Sequence, residues 1–326
     1  MLPGLIAGHY GFADCHINLE QLTRSAGARF KKSRAVALEP AIRVVKLEDG
    51  TRLDYDIVSI DVGSTPPTAQ IPGAAEHAIS VKPFDAFALH WEQLIAKVQN
   101  GHARKIVMIG GGAAGVELAL AMQYRLAQVR VPAMQFELIT AASCLLPDHH
   151  ARARTALERL LAARKIAVHV NANVAGVKAN AIELADGSAI ASDATVWAAG
   201  AGAASWLAQT GLALDTRGFI RIDNHLSSIS DTAVFAAGDC ATMEGHDIPK
   251  SGVYAVREGP VLAGNLRHAL AGEPLVPYHP QATALALISA GNRYAVASYG
   301  RAKLEGAWVW HWKDYIDRKF MRRYRD

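Results

Sequence analysis

The stretch IVMIGGGAAGVE, residues 106–117, decides the fold. Lys105–Ile109 is apolar and β-branched and reads as a strand. Gly110, Gly112 and Gly115 follow it directly, and Ala113 opens a helical segment to Ala127 with almost no breakers. Each glycine has a physical task in a strand–turn–helix of this kind. Gly110 permits the tight turn, Gly112 lets backbone approach a pyrophosphate, and Gly115 lets the helix pack closely on the strand. The helix start then offers unpaired N–H groups and a positive dipole end to phosphates. The residues therefore predict a dinucleotide site. Thr140 stands at the end of the next strand, where an Asp or Glu would grip the ribose 2′-hydroxyl, and no Arg lies immediately beside it. The choice between NAD and NADP stays open.

Outward from the loop, strand and helix patterns alternate. Phe136–Thr140, Ile166–Val170, Val174–Val177, Ala181–Leu184, Thr195–Ala199, Gly218–Asp223 and Val234–Ala237 read as strands. Residues 83–100, 151–164 and 253–270 read as helices. Arg43–Leu47 and Leu53–Ile60 flank the turn Glu48-Asp49-Gly50-Thr51, and Leu285–Ser289 and Tyr294–Tyr299 form a second hairpin. The fold class is α/β with a parallel, doubly wound sheet. With 326 residues, 51% of them hydrophobic, the chain supports about two domains with real cores.

The formal net charge of +4 is too small to call for nucleic acid. From Arg301 onward eight basic residues face four acidic ones, so this tail alone accounts for the excess. Cys15, Cys144 and Cys240 are scattered without a CxxC pair, which fits a reducing, cytoplasmic setting and argues against a zinc site or disulfide framework. The adjacent His149 and His150 point in different directions, so no metal is expected. MLPGLIAGHY lacks a basic leader and soon meets polar residues; it does not read as a signal peptide or a membrane span.

GGGAAGVE, TVWAAGA (195–201) and VFAAGDC (234–240) occur in the order found in flavoproteins with two dinucleotide-binding domains. The chain resembles the FAD-dependent pyridine nucleotide-disulfide oxidoreductases. Within them it looks most like the type II NADH dehydrogenase branch and the flavoproteins associated with selenophosphate synthetase. YDIVSIDVGSTP (55–66), PKSGVYAVREGP (249–260) and WVWHWKDYIDRKFMRRYRD (308–326) carry that closer match. The resemblance implies two Rossmann-like domains. One is a discontinuous FAD-type domain at 1–82 and 213–272, the other an NAD(P) domain at 83–212, and a C-terminal interface segment covers 273–326. It implies that Asp239, with Gly238 beside it, hydrogen-bonds the flavin ribityl chain. Gly63, Ser64 and Thr65 would line the flavin or its phosphates, and Lys250 to Tyr254, including Gly252, would approach its ring. Ala199 and Gly200 would sit at the matching crossover of the NAD(P) domain. Glu117 would lie near the nicotinamide.

The implied activity is flavin-dependent NAD(P)H oxidation, with hydride passing to FAD and electrons to a quinone or another acceptor. No catalytic side chain is assigned, because hydride transfer between two rings needs positioning more than acid–base chemistry. The second reading is a nucleotide-binding, non-catalytic sensor or partner subunit. A CxxxxC or CxxC pair for disulfide chemistry is missing, and Cys144 and Cys240 read as small apolar packing residues. In the tail, Trp308, Trp312, Ile316, Phe320 and Tyr324 recur every four residues among basic side chains. Such a helix suits peripheral contact with the cytoplasmic face of a membrane through 308–325; packing on the body or on a second copy in a homodimer is the alternative. Members of the family begin with a further βαβ unit bearing its own GxGxxG, and Met1 aligns just after it. A start misassigned at an internal Met and a genuine truncation both explain this. Without that unit the FAD phosphates lack a helix N-terminus and an apolar strand edge is exposed. The chain as given is therefore expected to bind FAD weakly or not at all. The visible absorption of the purified chain checks this, and stoichiometric flavin would overturn it.

Overall fold

The computed structural model describes residues 1–129 and 134–324. The chain divides into two compact units. The first comprises residues 1–30, 66–200 and 283–326; the second comprises 31–65 and 201–282.

The first unit is built on a five-stranded parallel sheet. Its order is Ala78–Ser80, Ala194–Trp197, Lys105–Ile109, Gln135–Ile139, Ile166–His169. Side chains alternate across a strand, so the central strand feeds two cores. Ile106 and Met108 join one core with the helices Phe84–Gln99, Ala113–Gln128 and Ala151–Ala163. Val107 and Ile109 join the other with Ile139, Trp197, Val177 and Ile182. This second face is covered by a three-stranded antiparallel sheet, Val174–Lys178, Ala181–Leu184 and Ala189–Ala191, rather than by helices. Helices therefore cover one face of the parallel sheet and a small antiparallel sheet covers the other.

Leu285–Tyr299 does fold back as a hairpin, and it gains a third strand. Ala286–Ser289, Ala295–Tyr299 and Ala302–Gly306 form an antiparallel sheet that runs into the tail helix, Ala307–Arg322. Gly291 sits at the hairpin tip with φ +85°, where a Cβ would stand 2.6 Å from the Leu120 carbonyl oxygen.

The second unit holds a mixed five-stranded sheet ordered Ala241–Met243, Ile220–Ile222, Ser227–Ser228, Asp231–Ala236, Val58–Ile60. The segment expected as one strand, Leu53–Ile60, is two. Arg52–Asp54 pairs with Val44–Leu47 in a separate antiparallel sheet, while Val58–Ile60 pairs parallel with Asp231–Ala236 at the edge of the larger one. The helix Gly252–Ala271 buries Tyr254, Glu258, Leu262 and Asn265 along one face.

The unit boundaries differ from those expected at 82/83 and 212/213. Residues 1–30 cluster with the nucleotide-loop unit because Ile6 and Ala7 enter its helical core and the Trp91 indole N–H donates to the Ile6 carbonyl at 3.2 Å. Residues 66–82 join it because Ala78–Ser80 is a strand of its sheet. The tail strands join it through the contact of Gly291 on the loop helix.

Candidate functional site

In the first unit the glycine loop has the geometry that its sequence demands. Gly110 has φ +129°, and a Cβ there would stand 2.9 Å from the Ala198 and Ala199 backbone. At Gly115 a Cβ would stand 1.9 Å from the Gly110 carbonyl oxygen, so helix and turn touch through bare backbone. Gly112 is different: a Cβ would meet nothing within 4 Å, leaving open space at the helix start. Gly112 is the N-cap of Ala113–Gln128, and the cap has no side-chain hydrogen bond and no acid in the first turn. Free N–H groups and an uncompensated dipole end suit a pyrophosphate. Ala199 closes the neighbouring strand end, its carbonyl accepting from the Trp197 indole N–H at 2.9 Å, and Gly200 turns with φ +70° against Pro67. Thr140 packs on the loop at 8% exposure.

Glu117 lies on the loop helix. Its Oε1 accepts from the Ser289 N–H at 2.6 Å, tying the loop helix to the tail sheet. Burial pushes its carboxyl above the ordinary range, against the pull of the Lys313 ammonium and the Ser289 N–H.

In the second unit, Gly238 and Asp239 follow the strand Asp231–Ala236. Gly238 has φ +70°; its N–H donates to Glu258 Oε2 at 2.6 Å, and a Cβ would fall 2.7 Å from Asp61 Oδ1. Asp239 Oδ2 accepts from the Ser64 hydroxyl at 2.9 Å. Gly63 turns with φ +66° into open space, and Thr65 exchanges backbone hydrogen bonds with Gly202. Burial raises the carboxyls of Asp61 and Glu258, with Asp239 adding to the shift at Asp61. Three carboxylates thus surround one glycine. An acceptor-rich cradle of this kind fits the hydroxyl donors of a ribityl chain and opposes a phosphate. Gly252 opens the helix Gly252–Ala271 with nothing within 4 Å of its would-be Cβ, and no acid lies in that first turn.

Lys250 is turned inward. Its ammonium donates to the Ala241 carbonyl and to Thr242 Oγ1, and lies 4.3 Å from the Phe219 ring centre. The crevice it borders with Glu258 and Tyr254 has a volume of about 10 Å³, room for one water at most. Cys240 is buried behind Asp239, and burial pushes its thiol up to about 11, so it is no thiolate at neutral pH. Among the described residues, no group of three His, Cys, Asp or Glu is placed to hold a metal.

Sequence reading missed Asp61 and Glu258. Glu258 carried a usable signal: it falls on the same helical stripe as Tyr254 and Leu262, a charge where the pattern calls for an apolar residue. Asp61 carried none, since its partners lie far along the chain.

The tail helix packs by Val309, Trp310 and Met321 and leaves Trp308, Trp312, Tyr315 and Ile316 exposed. Trp308 and Trp312 stack with ring centres 6.4 Å apart. Beside them, Leu285, Ala297, Tyr299, Ala302, Leu304 and Trp312 line an apolar pocket of about 320 Å³. Arg325 and Asp326 lie outside the described residues. No helix among the described residues is long and apolar enough to cross a membrane.

The sequence profile described as pyridine nucleotide-disulphide oxidoreductase matches residues 12–259. An NADH dehydrogenase-like protein of Mycobacterium tuberculosis is 27% identical over 307 residues, spanning 90% of this chain and 76% of that protein. Demethylphylloquinone reductase of Synechocystis is 27% identical over 306 residues, 88% of this chain and 72% of the relative. The structure of NDH2 from Plasmodium falciparum in complex with NADH superposes with a TM-score of 0.82 at 14% identity, covering 98% of this chain and 88% of that one, and is thus alike in fold.

Two glycine substitutions separate the loop's roles. Gly115→Ala is expected to destabilise the protein by ~1–3 kcal/mol, because a methyl cannot fit against the Gly110 carbonyl. Gly112→Ala should cost under about 1 kcal/mol, the difference of a poorer N-cap, yet weaken NADH binding about ten-fold or more. Thermal unfolding and nucleotide fluorescence titration check both. A Gly112→Ala protein that binds NADH normally would contradict the pyrophosphate reading.

Proposed function

The chain belongs to the pyridine nucleotide-disulphide oxidoreductase family, and from that premise we propose that it is a flavin-dependent NAD(P)H oxidoreductase delivering electrons to a quinone. The observation that carries this reading is the glycine loop, crowded at Gly110 and Gly115 and open at Gly112. Gly110, Gly112, Ala113 and Gly115 hold the NAD(P)H pyrophosphate, Thr140 borders the adenine ribose, and Ala199 and Gly200 line the same site from the neighbouring strand. Glu117 holds the loop helix in place through Ser289. In the second unit, Asp239 accepts from the flavin ribityl hydroxyls, with Gly63, Ser64, Thr65, Gly238 and Gly252 giving backbone access. FAD, when bound, would supply the ring that accepts the hydride and passes electrons on. The chain's own part is to bind, orient and exclude water, which is why no acid–base side chain is required. The relatives named as an NADH dehydrogenase-like protein and a demethylphylloquinone reductase support both the donor and the acceptor class. With FAD supplied, the protein is expected to reduce a water-soluble quinone analogue at the expense of NADH or NADPH, followed by loss of nicotinamide absorbance. Nucleotide binding without any turnover would favour the non-catalytic sensor or partner subunit instead.

We also infer peripheral contact with an anionic membrane, on its cytoplasmic face, through the tail helix. Trp308, Trp312, Tyr315 and Ile316 are exposed, Trp312 lines the apolar pocket, and Arg318, Lys319, Arg322 and Arg323 follow towards the end of the same helix. A second copy of the chain is the competing occupant. Val309 and Trp310 belong to the core, so surface substitutions test the idea more cleanly than truncation. A Trp308→Ser/Trp312→Ser protein is expected to co-sediment with phosphatidylserine-containing vesicles several-fold less than the parent at low salt. Equal sedimentation would remove the proposal, and a change in oligomeric state would point to the second copy.

A further inference from the structure

The end of the strand Gln135–Ile139 is where a strand–loop–helix site tells NADH from NADPH. A carboxylate there accepts from the ribose 2′-hydroxyl and repels a 2′-phosphate, whereas a guanidinium beside it does the reverse. Resting on the nucleotide reading above, we propose that this site admits NADH and NADPH with closely similar affinity, because Thr140 and the loop after it carry no charge that tells them apart.

Thr140 is placed as the discriminating residue would be. Ile139 is in register with Ile109, the last residue before the glycine loop. The Thr140 Oγ1 lies 2.7 Å from where a Gly111 Cβ would stand, and Leu146 N–H donates to the Gly111 carbonyl at 2.8 Å. The strand end and the segment after it are therefore folded directly on the glycine loop. The Thr140 hydroxyl is turned inward and accepts from the Ala142 N–H at 3.3 Å. A neutral, inward hydroxyl gives the 2′-hydroxyl no strong acceptor and gives a 2′-phosphate nothing to repel it.

No neighbour takes over the task. Residues 141–147 read Ala-Ala-Ser-Cys-Leu-Leu-Pro, without a formal charge. The nearest carboxylate on the strand, Glu137, is already held by Lys105 at 2.6 Å and His169 at 2.8 Å. Beyond the uncharged run come one carboxylate, Asp148, and two guanidiniums, Arg152 and Arg154. Arg154 Nη2 donates to the His149 carbonyl at 3.4 Å, while its Nε has no hydrogen-bond partner among the described residues. The local balance leans towards the cationic, which offsets the desolvation of a 2′-phosphate without creating a fork to grip it.

Fluorescence titration of the full chain with NADH and with NADPH tests this. The two Kd values are expected to agree within about ten-fold. Thr140→Glu should weaken NADPH relative to NADH by about ten-fold or more, and Thr140→Ser should leave the ratio unchanged. Should Thr140→Glu fail to fold by circular dichroism, the exposed Ala141→Arg carries the test, with the ratio expected to swing about ten-fold towards NADPH. A native protein that prefers either nucleotide by more than about ten-fold overturns the proposal while leaving the nucleotide site intact. So does a ratio that neither charged variant moves. Binding of neither nucleotide would overturn the site reading together with the proposal.

Discussion

A missing methyl group at residue 115 sets the geometry of the first unit. With no side chain there, the loop helix comes within bare-backbone distance of the Gly110 carbonyl. That approach lets Val116, Leu120 and their neighbours bury fully against Ile106 and Met108. It also fixes where the outer side of the helix lies, and hence where Gly291 rests on the Leu120 carbonyl and where Ser289 meets Glu117. Interiors this dense tolerate little slack, so a shift of the helix by one carbon radius would propagate from the nucleotide loop to the tail sheet. The proposed binding loop is thus also the point from which the packing is measured.

The two units present opposite chemistries. The loop at 110–115 offers donors only: backbone N–H groups at a helix start with no acid in its first turn. The turn at 238–239 offers acceptors, with Asp61, Asp239 and Glu258 around one glycine. Phosphates suit the first and sugar hydroxyls the second. Burial raises the carboxyls of Asp61 and Glu258, and at Glu258 the Gly238 N–H pulls the other way. Glycine serves both places for different reasons: open space at Gly112, and a left-handed turn wedged beside a carboxylate at Gly238.

Features with a short sequence span were legible. The strand–glycine–helix, the parallel alternation of Ile106 to Ile109, the hairpin around Gly291 and the amphipathic tail all follow from local periodicity and turn chemistry. What escaped depended on distant partners. Leu53–Ile60 looks like one β-rich run, but alternation says nothing about which strand accepts its hydrogen bonds, and its two halves enter different sheets. Residues 1–30 gave no sign that Ile6 would sit under Trp91. Lys250, expected to face a ring, is held back by the Ala241 carbonyl and Phe219, partners no spacing rule connects to it. The tail's aromatic repeat was visible, yet only packing reveals that Trp310, off that repeat, is the buried tryptophan.

The first unit is assembled from three separated pieces of chain, and this bears on the order in which it can be made. His9 bonds to the Gly291 carbonyl at 2.6 Å, Tyr10 stacks on Trp310, and Val309 and Trp310 sit in the same core as Tyr10 and Ala297. A ribosome emits residues in order, at about 5–20 per second, so residues 1–30 and 66–200 are made before their partners in 283–326. The residues of the second unit, 31–65 and 201–282, all precede the tail strands. The inserted unit can thus close while the surrounding one is still incomplete, leaving the outer side of the loop helix bare until the tail sheet is released. Vectorial synthesis makes that face, rather than either proposed nucleotide site, the surface most in need of protection during biogenesis.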